Sequence, residues 1–205
     1  VLEATVVSPT SSTLNPTHVV SPPVFTVRVD YSPMFASDDI TVKLIVKPGL
    51  TAPIITPKPG NPSQGYVDFT VSNTNIADHI GDILNVQYHV SRAGAVHDSG
   101  VLELRVLNFH ELPGGNPLPS PTINNLAPGS TLNLSSFNGD GLASVAAWPL
   151  IRIDQKVWIR AESPGIESLI ILKEYDVKPQ DLIAGLKDIA VLRNWLERLP
   201  DNGEL

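Results

Sequence analysis

Ile40-Thr41-Val42-Lys43-Leu44-Ile45-Val46-Lys47 alternates apolar and polar side chains and stops at Pro48-Gly49. That period of two belongs to a strand with one face buried, and Pro-Gly is a turn signal. The same pattern recurs on both sides. Phe25-Thr26-Val27-Arg28-Val29 precedes it, and Tyr66-Val67-Asp68-Phe69-Thr70-Val71 follows. Ile83 to Val90 and Val101 to Leu107 add two more strands, and Leu2 to Val7 supplies an opening one. Ser91 to Gly100 reads as a hairpin connection. Short strands joined by Pro- and Gly-rich turns point to a β-sandwich over residues 1–110. One stretch breaks the alternation: Asn75 is placed to cap a single helical turn that ends at Gly81.

Composition agrees with this. The 205 residues include 19 Pro and 14 Gly, which favours many turns over long helices. Only 17% are charged, with a formal net charge of −7. An acidic chain of this kind lacks the basic groups that nonspecific nucleic-acid binding requires, and it gains nothing from an anionic membrane. No apolar run is long enough for a membrane-spanning helix. Cysteine is absent, so disulfides, thiolate zinc sites and cysteine nucleophiles are excluded. The chain opens at Val1 without a basic-then-apolar leader, so any targeting signal is expected outside it.

Residues 111–120 carry Pro and Gly without periodicity and read as a linker. Beyond it the first pattern restarts over residues 121–205. Ser12-Thr13-Leu14-Asn15 recurs as Ser130-Thr131-Leu132-Asn133, Asp39–Lys43 as Lys156–Arg160, and Pro48-Gly49 as Pro164-Gly165. Ile76–Asp82 aligns loosely with Trp195–Asp201. The common order implies an internal repeat. In the first copy two strands follow the short helix, whereas Leu205 falls where their counterparts begin, so the second unit is expected to be truncated. Residues 179–199 carry two readings. Leu182, Leu186, Ile189, Leu196 and Leu199 fit one amphipathic helix, whereas the repeat demands a turn at 179–185, a strand at 188–192 and a short helix at 194–199. The repeat is the reading adopted here.

No residue pattern carries catalysis. His97-Asp98-Ser99 contains the letters of a hydrolytic triad, but adjacent residues cannot align in series, and no nucleophile elbow surrounds Ser99. The five histidines (18, 79, 89, 97, 110) show no metal-binding spacing. Asn138-Gly139-Asp140-Gly141 lacks the further acidic ligands of a calcium loop and reads as a turn. Asp38-Asp39, Asp78 with Asp82, and Glu174 with Asp176 are acidic pairs expected to be solvated. Trp148, Trp158 and Trp195 all fall in the second part; Trp158 is expected in the core, the other option being an exposed stacking platform. Catalytic, cofactor and metal residues are therefore expected to be none, and the chain is read as not an enzyme.

Ser130-Thr131-Leu132-Asn133-Leu134, Trp148-Pro149 and Asp154–Arg160 together resemble bacterial immunoglobulin-like repeats of large surface or secreted, adhesin-like proteins. Tyr31-Ser32-Pro33 replaces the direct aromatic-Pro pair in the first copy. The resemblance implies an all-β chain of two tandem immunoglobulin-like sandwiches, the second incomplete and containing short helices. It further implies an extracellular or cell-surface location, neighbouring domains of the same parent chain as partners, and a structural or spacer role. A carbohydrate- or protein-binding module, or an accessory domain of a secreted hydrolase, is the alternative.

Overall fold

The computed structural model describes residues 3–127 and 129–200 apart from 7–11, with the backbone alone described for 3–6. Strands make up 40% of it, so the chain is β-rich, with short helices and several separate sheets. It divides into two compact units, residues 1–116 and 117–205.

The first unit contains β1 (Glu3–Val6), β2 (Thr13–Leu14), β3 (Val24–Asp30), β4 (Asp39–Ile45), β5 (Lys58–Pro59), β6 (Tyr66–Ser72), β7 (Ile83–Arg92), β8 (Ala95–Asp98) and β9 (Leu102–Val106). One sheet has the order β1-β3-β6 and the other β2-β9-β7-β4-β5, with β8 also on β7. Of the expected opening strand, Leu2 and Val7 lie outside the described residues. The alternation seen in sequence is the burial pattern of the strands. Phe25, Val27 and Val29 of β3 are buried together with Val67, Phe69 and Val71 of β6. In the other sheet the buried rows are Ile40, Val42 and Leu44, then Leu84, Val86, Tyr88 and Val90. Tyr31, just past β3, stacks on Tyr88 of β7 with ring centroids 6.1 Å apart.

Two local expectations change. Ser91–Gly100 is no simple loop: Ala93-Gly94 forms the turn in left-handed conformation, and Ala95–Asp98 returns along β7 as β8. The residues after β6 form two short 3-10 turns, Asn73–Asn75 and Ala77–His79. Ser72, not Asn75, caps the first, its hydroxyl accepting from Thr74 N at 3.3 Å. Asn75 is buried instead and donates to Thr51 O at 3.2 Å.

The second unit contains β10 (Thr122–Ile123), β11 (Gly141–Val145), β12 (Lys156–Ser163), β13 (Ile166–Asp176), α1 (Asp181–Ala184), β14 (Leu186–Val191) and α2 (Arg193–Leu196). Residues 179–199 are thus turn, strand and turn, not one helix. Gly185, with φ at +69°, ends α1 where its position meets the backbone of Val145 and Ala146. Ala143, Val191, Trp195 and Leu196 form the centre of this unit's core.

The pairings of the first unit reappear in the second. The antiparallel sheet β1-β3-β6 has its counterpart in β10-β11-β14, in the same order. The β4–β5 pairs Asp39↔Pro59 and Ile40↔Lys58 return as Lys156↔Asp176 and Val157↔Tyr175, every residue 117 positions further on. Asn15 Oδ1 accepts from Thr17 N at 2.9 Å, and Asn133 Oδ1 accepts from Ser135 N at 2.9 Å, each capping a 3-10 turn. β4 lies between β5 and β7, whereas β12 pairs with β13 alone among the described strands.

Candidate functional site

The strongest concentration of charge inside the first unit is built around Asp38, which is 1% exposed. It sits where the chain turns into β4. Its Oδ2 accepts from Phe35 N at 2.9 Å and from the Tyr31 hydroxyl at 2.7 Å. Arg92, at the end of β7, reaches across with Nε to Oδ1 at 2.6 Å and Nη2 to Oδ2 at 2.7 Å. The same Nη2 donates to Pro33 O at 2.9 Å, and the guanidinium lies 4.3 Å from the Phe35 ring centroid. The hydrogen bonds from Arg92 outweigh burial and hold the Asp38 carboxyl far below its usual range. Burial first, then the bond to Asp38, pushes the Tyr31 hydroxyl far above its own.

This is a saturated arrangement. Four donors meet two carboxylate oxygens, which leaves Asp38 no role as general acid, base or metal ligand. Asp39 is exposed and opens β4, so the expected pair does not converge. The second unit builds the corresponding turn without charge. Gln155 stands 117 positions after Asp38; its Oε1 accepts from Arg152 N at 3.2 Å, as Asp38 does from Phe35 N. Its Nε2 donates to Leu150 O at 3.2 Å, the task that Arg92 performs for Pro33 O. The main chain repeats as well: Gly60 N donates to Asp38 O and Val177 N to Gln155 O, both at 3.0 Å.

The other residues singled out in the sequence are scattered. His97 and Asp98 are exposed on β8, while Ser99 is 6% exposed. Ser99 Oγ accepts from Tyr88 N at 3.0 Å and donates to Gly100 O at 2.7 Å, so it holds a strand irregularity rather than activating a nucleophile. The expectation of a solvated turn is corrected for Ser99, because Tyr88 N would otherwise lie buried and unpaired. His79 is 1% exposed, with Nδ1 donating to Asn75 O at 2.7 Å, a satisfied core histidine. His18 and His110 are exposed and His89 is half-buried. Asp82 pairs with Lys47 at 2.9 Å, and the same ammonium donates to Asp78 O at 2.7 Å. Asp140 accepts from Arg193 N at 2.8 Å and so caps α2. Asp176 pairs with Lys156, and Glu174 is exposed at φ +51°. Among the described residues no three His, Asp or Glu side chains gather where they could hold a metal.

Trp158 corrects an expectation. It is 58% exposed, because Val157, Ile159 and Ala161 take the inward face of β12 and parity turns residue 158 outward. Trp195 is 4% exposed, with Nε1 donating to Glu167 O at 2.7 Å. Trp148 is half-buried, so no aromatic platform assembles from the three.

Sequence reasoning missed the Asp38–Arg92–Tyr31 arrangement. Its members are seven and 54 residues apart, and only the β4–β7 register, which sets Asp39 opposite Ser91, brings them together. Comparison with protein-family models, with curated proteins and with solved structures returned no match.

Proposed function

We propose that the chain is a pair of tandem immunoglobulin-like β-sandwich units, the second lacking the strands that β7 and β9 contribute to the first. In this reading it is a non-catalytic structural or spacer segment of a bacterial surface or secreted, adhesin-like multidomain protein. Buried faces on both sheets of the first unit, and the Tyr31–Tyr88 stack between them, support the sandwich. The recurrence of the ladders 117 positions apart supports the repeat.

One observation carries the mechanical reading. β2, near the start of the first unit, pairs in parallel with β9, near its end: Thr13↔Arg105 and Leu14↔Val106. Arg105 N donates to Ser12 O at 2.7 Å and Leu107 N to Leu14 O at 2.9 Å. Tension on the two chain ends pulls parallel terminal strands in opposite directions. The bonds are then sheared together instead of being opened one by one. Leu14, fully buried, anchors the short strand in the core.

Stretching the full chain between its ends by single-molecule force spectroscopy tests this. The expected trace contains an abrupt rupture releasing roughly 30 nm, the extended length of the segment that β2 and β9 enclose. Gradual extension of the first unit at low force would count against a tension-bearing role.

The exposed indole of Trp158 is the observation behind the second reading, a glycan- or protein-binding module. A single ring without a neighbouring aromatic favours it less than the paired terminal strands favour the spacer.

A further inference from the structure

We propose that β12 is a dimerisation edge, pairing antiparallel with β12 of a second copy of this chain about a twofold axis at Ile159. This rests on the strand pairings of the second unit and does not depend on the spacer reading.

β12 corresponds to β4, an interior strand of the first unit whose far side is filled by β7 over its whole length. Among the described residues, no strand but β13 bonds to β12. The first unit ends this sheet safely: β2 and β5 are two residues each, and β5 contains Pro59. The second unit leaves eight residues, Lys156–Ser163, with no proline and no charge on the inward face. Irregularity is confined to the partner strand. From Val157↔Tyr175 to Ile159↔Leu172, and at two further places, the surplus residue lies on β13. Bulges therefore spoil the outer edge of β13 and leave β12 regular.

The chemistry of the strand selects the occupant. Antiparallel self-pairing must keep inward residues opposite inward ones, so the axis passes through one residue. At Trp158 it would set Lys156 against Arg160, and at Arg160 it would set that arginine against its own copy. At Ile159 every outward contact is complementary: Lys156 faces Glu162 of the second copy, and Trp158 faces Arg160. The inward pairs are Val157 with Ala161 and Ile159 with itself. Arg160 and Glu162 are paired within one copy at 2.7 Å, but their side chains are 60% and 62% exposed, so that surface contact is readily exchanged. The interface is isologous and closes at two copies.

Sedimentation velocity of the full chain across a concentration series tests the proposal. A monomer–dimer equilibrium is expected. E162K places two lysines opposite each other at both ends of the interface and should weaken association at least ~10-fold. K156E should do the same with two glutamates, and the double variant K156E/E162K should restore the dimer. These side chains are on the surface, and unchanged circular dichroism confirms folding in each variant. A monomer at all concentrations overturns the proposal, as does a dimer indifferent to the charge exchange. A monomeric chain that binds a synthetic peptide of residues 82–92 also overturns it, in favour of a β7-like strand as occupant.

Discussion

Asp38 and Gln155 solve one local problem in two ways. Each must satisfy the turn that leads into its strand. Asp38 needs a cation, which Arg92 provides from β7; Gln155 carries donor and acceptor on one neutral amide. Arg92→Leu leaves a buried carboxylate unpaired and should cost the first unit about 2–3 kcal/mol in urea unfolding. The double variant Asp38→Gln/Arg92→Leu copies the second unit's solution and should recover a large part of that loss. Additivity of the two changes would contradict the equivalence. The pH dependence follows from the same cluster. Asp38 has a depressed folded pKa, so its contribution is complete above the unfolded value of about 4 and is lost as pH falls through the folded one. Tyr31 has a raised folded pKa, so its contribution is complete below about 10 and is lost as pH rises through the folded value. Asp38→Asn should flatten the acid limb of stability measured by urea titration at several pH values, with the alkaline limb retained. None of this was legible from spacing, because hydrogen-bond closure over 54 residues requires the strand register. Trp158 was misread for a different reason: its size argued for burial, but the parity of β12 assigned the inward face to Val157 and Ile159.

At the scale of elements, irregular positions are held by single contacts. β8 and β9 lie along the same side of β7 with one residue too many between them: His89 faces Asp98, whereas Val86 faces Leu102. Ser99 absorbs the extra residue by giving Tyr88 N an acceptor. Ser99→Ala removes it and should destabilise the first unit by about 1–3 kcal/mol, read as a lower urea midpoint with an unchanged slope. Gly185 has the same importance for the second unit. A Cβ there would stand 2.1 Å from Val145 O at a φ of +69°, so Gly185→Ala should lower the second unit's midpoint sharply while leaving the first unit's unmoved. Regular strands were readable because alternation and burial are the same fact seen twice. The helix-like spacing of Leu182 to Leu199 misled locally. Gly185 and the positive φ of Asp188 break the helical path, and β11 offers Leu186–Val191 a ladder instead. The matching turns Pro48-Gly49 and Pro164-Gly165 carried the information that resolved it.

For the whole molecule, the central claim is that two hydrophobic cores fold side by side in sequence, each closed by its own ladders. The aromatic residues are distributed to test this. All three tryptophans, Trp148, Trp158 and Trp195, belong to the second unit, so their fluorescence reports that unit alone. Far-ultraviolet circular dichroism reports both. The second unit has the smaller set of fully buried side chains and an open strand edge, so it should unfold first. One urea titration of the full chain, at a concentration where it is monomeric and followed by both signals, decides the matter. Two separate transitions are predicted, with tryptophan fluorescence complete at the lower urea concentration and dichroism continuing to change beyond it. A single transition, coincident in both signals, would contradict the account, because it is the behaviour of one continuous core.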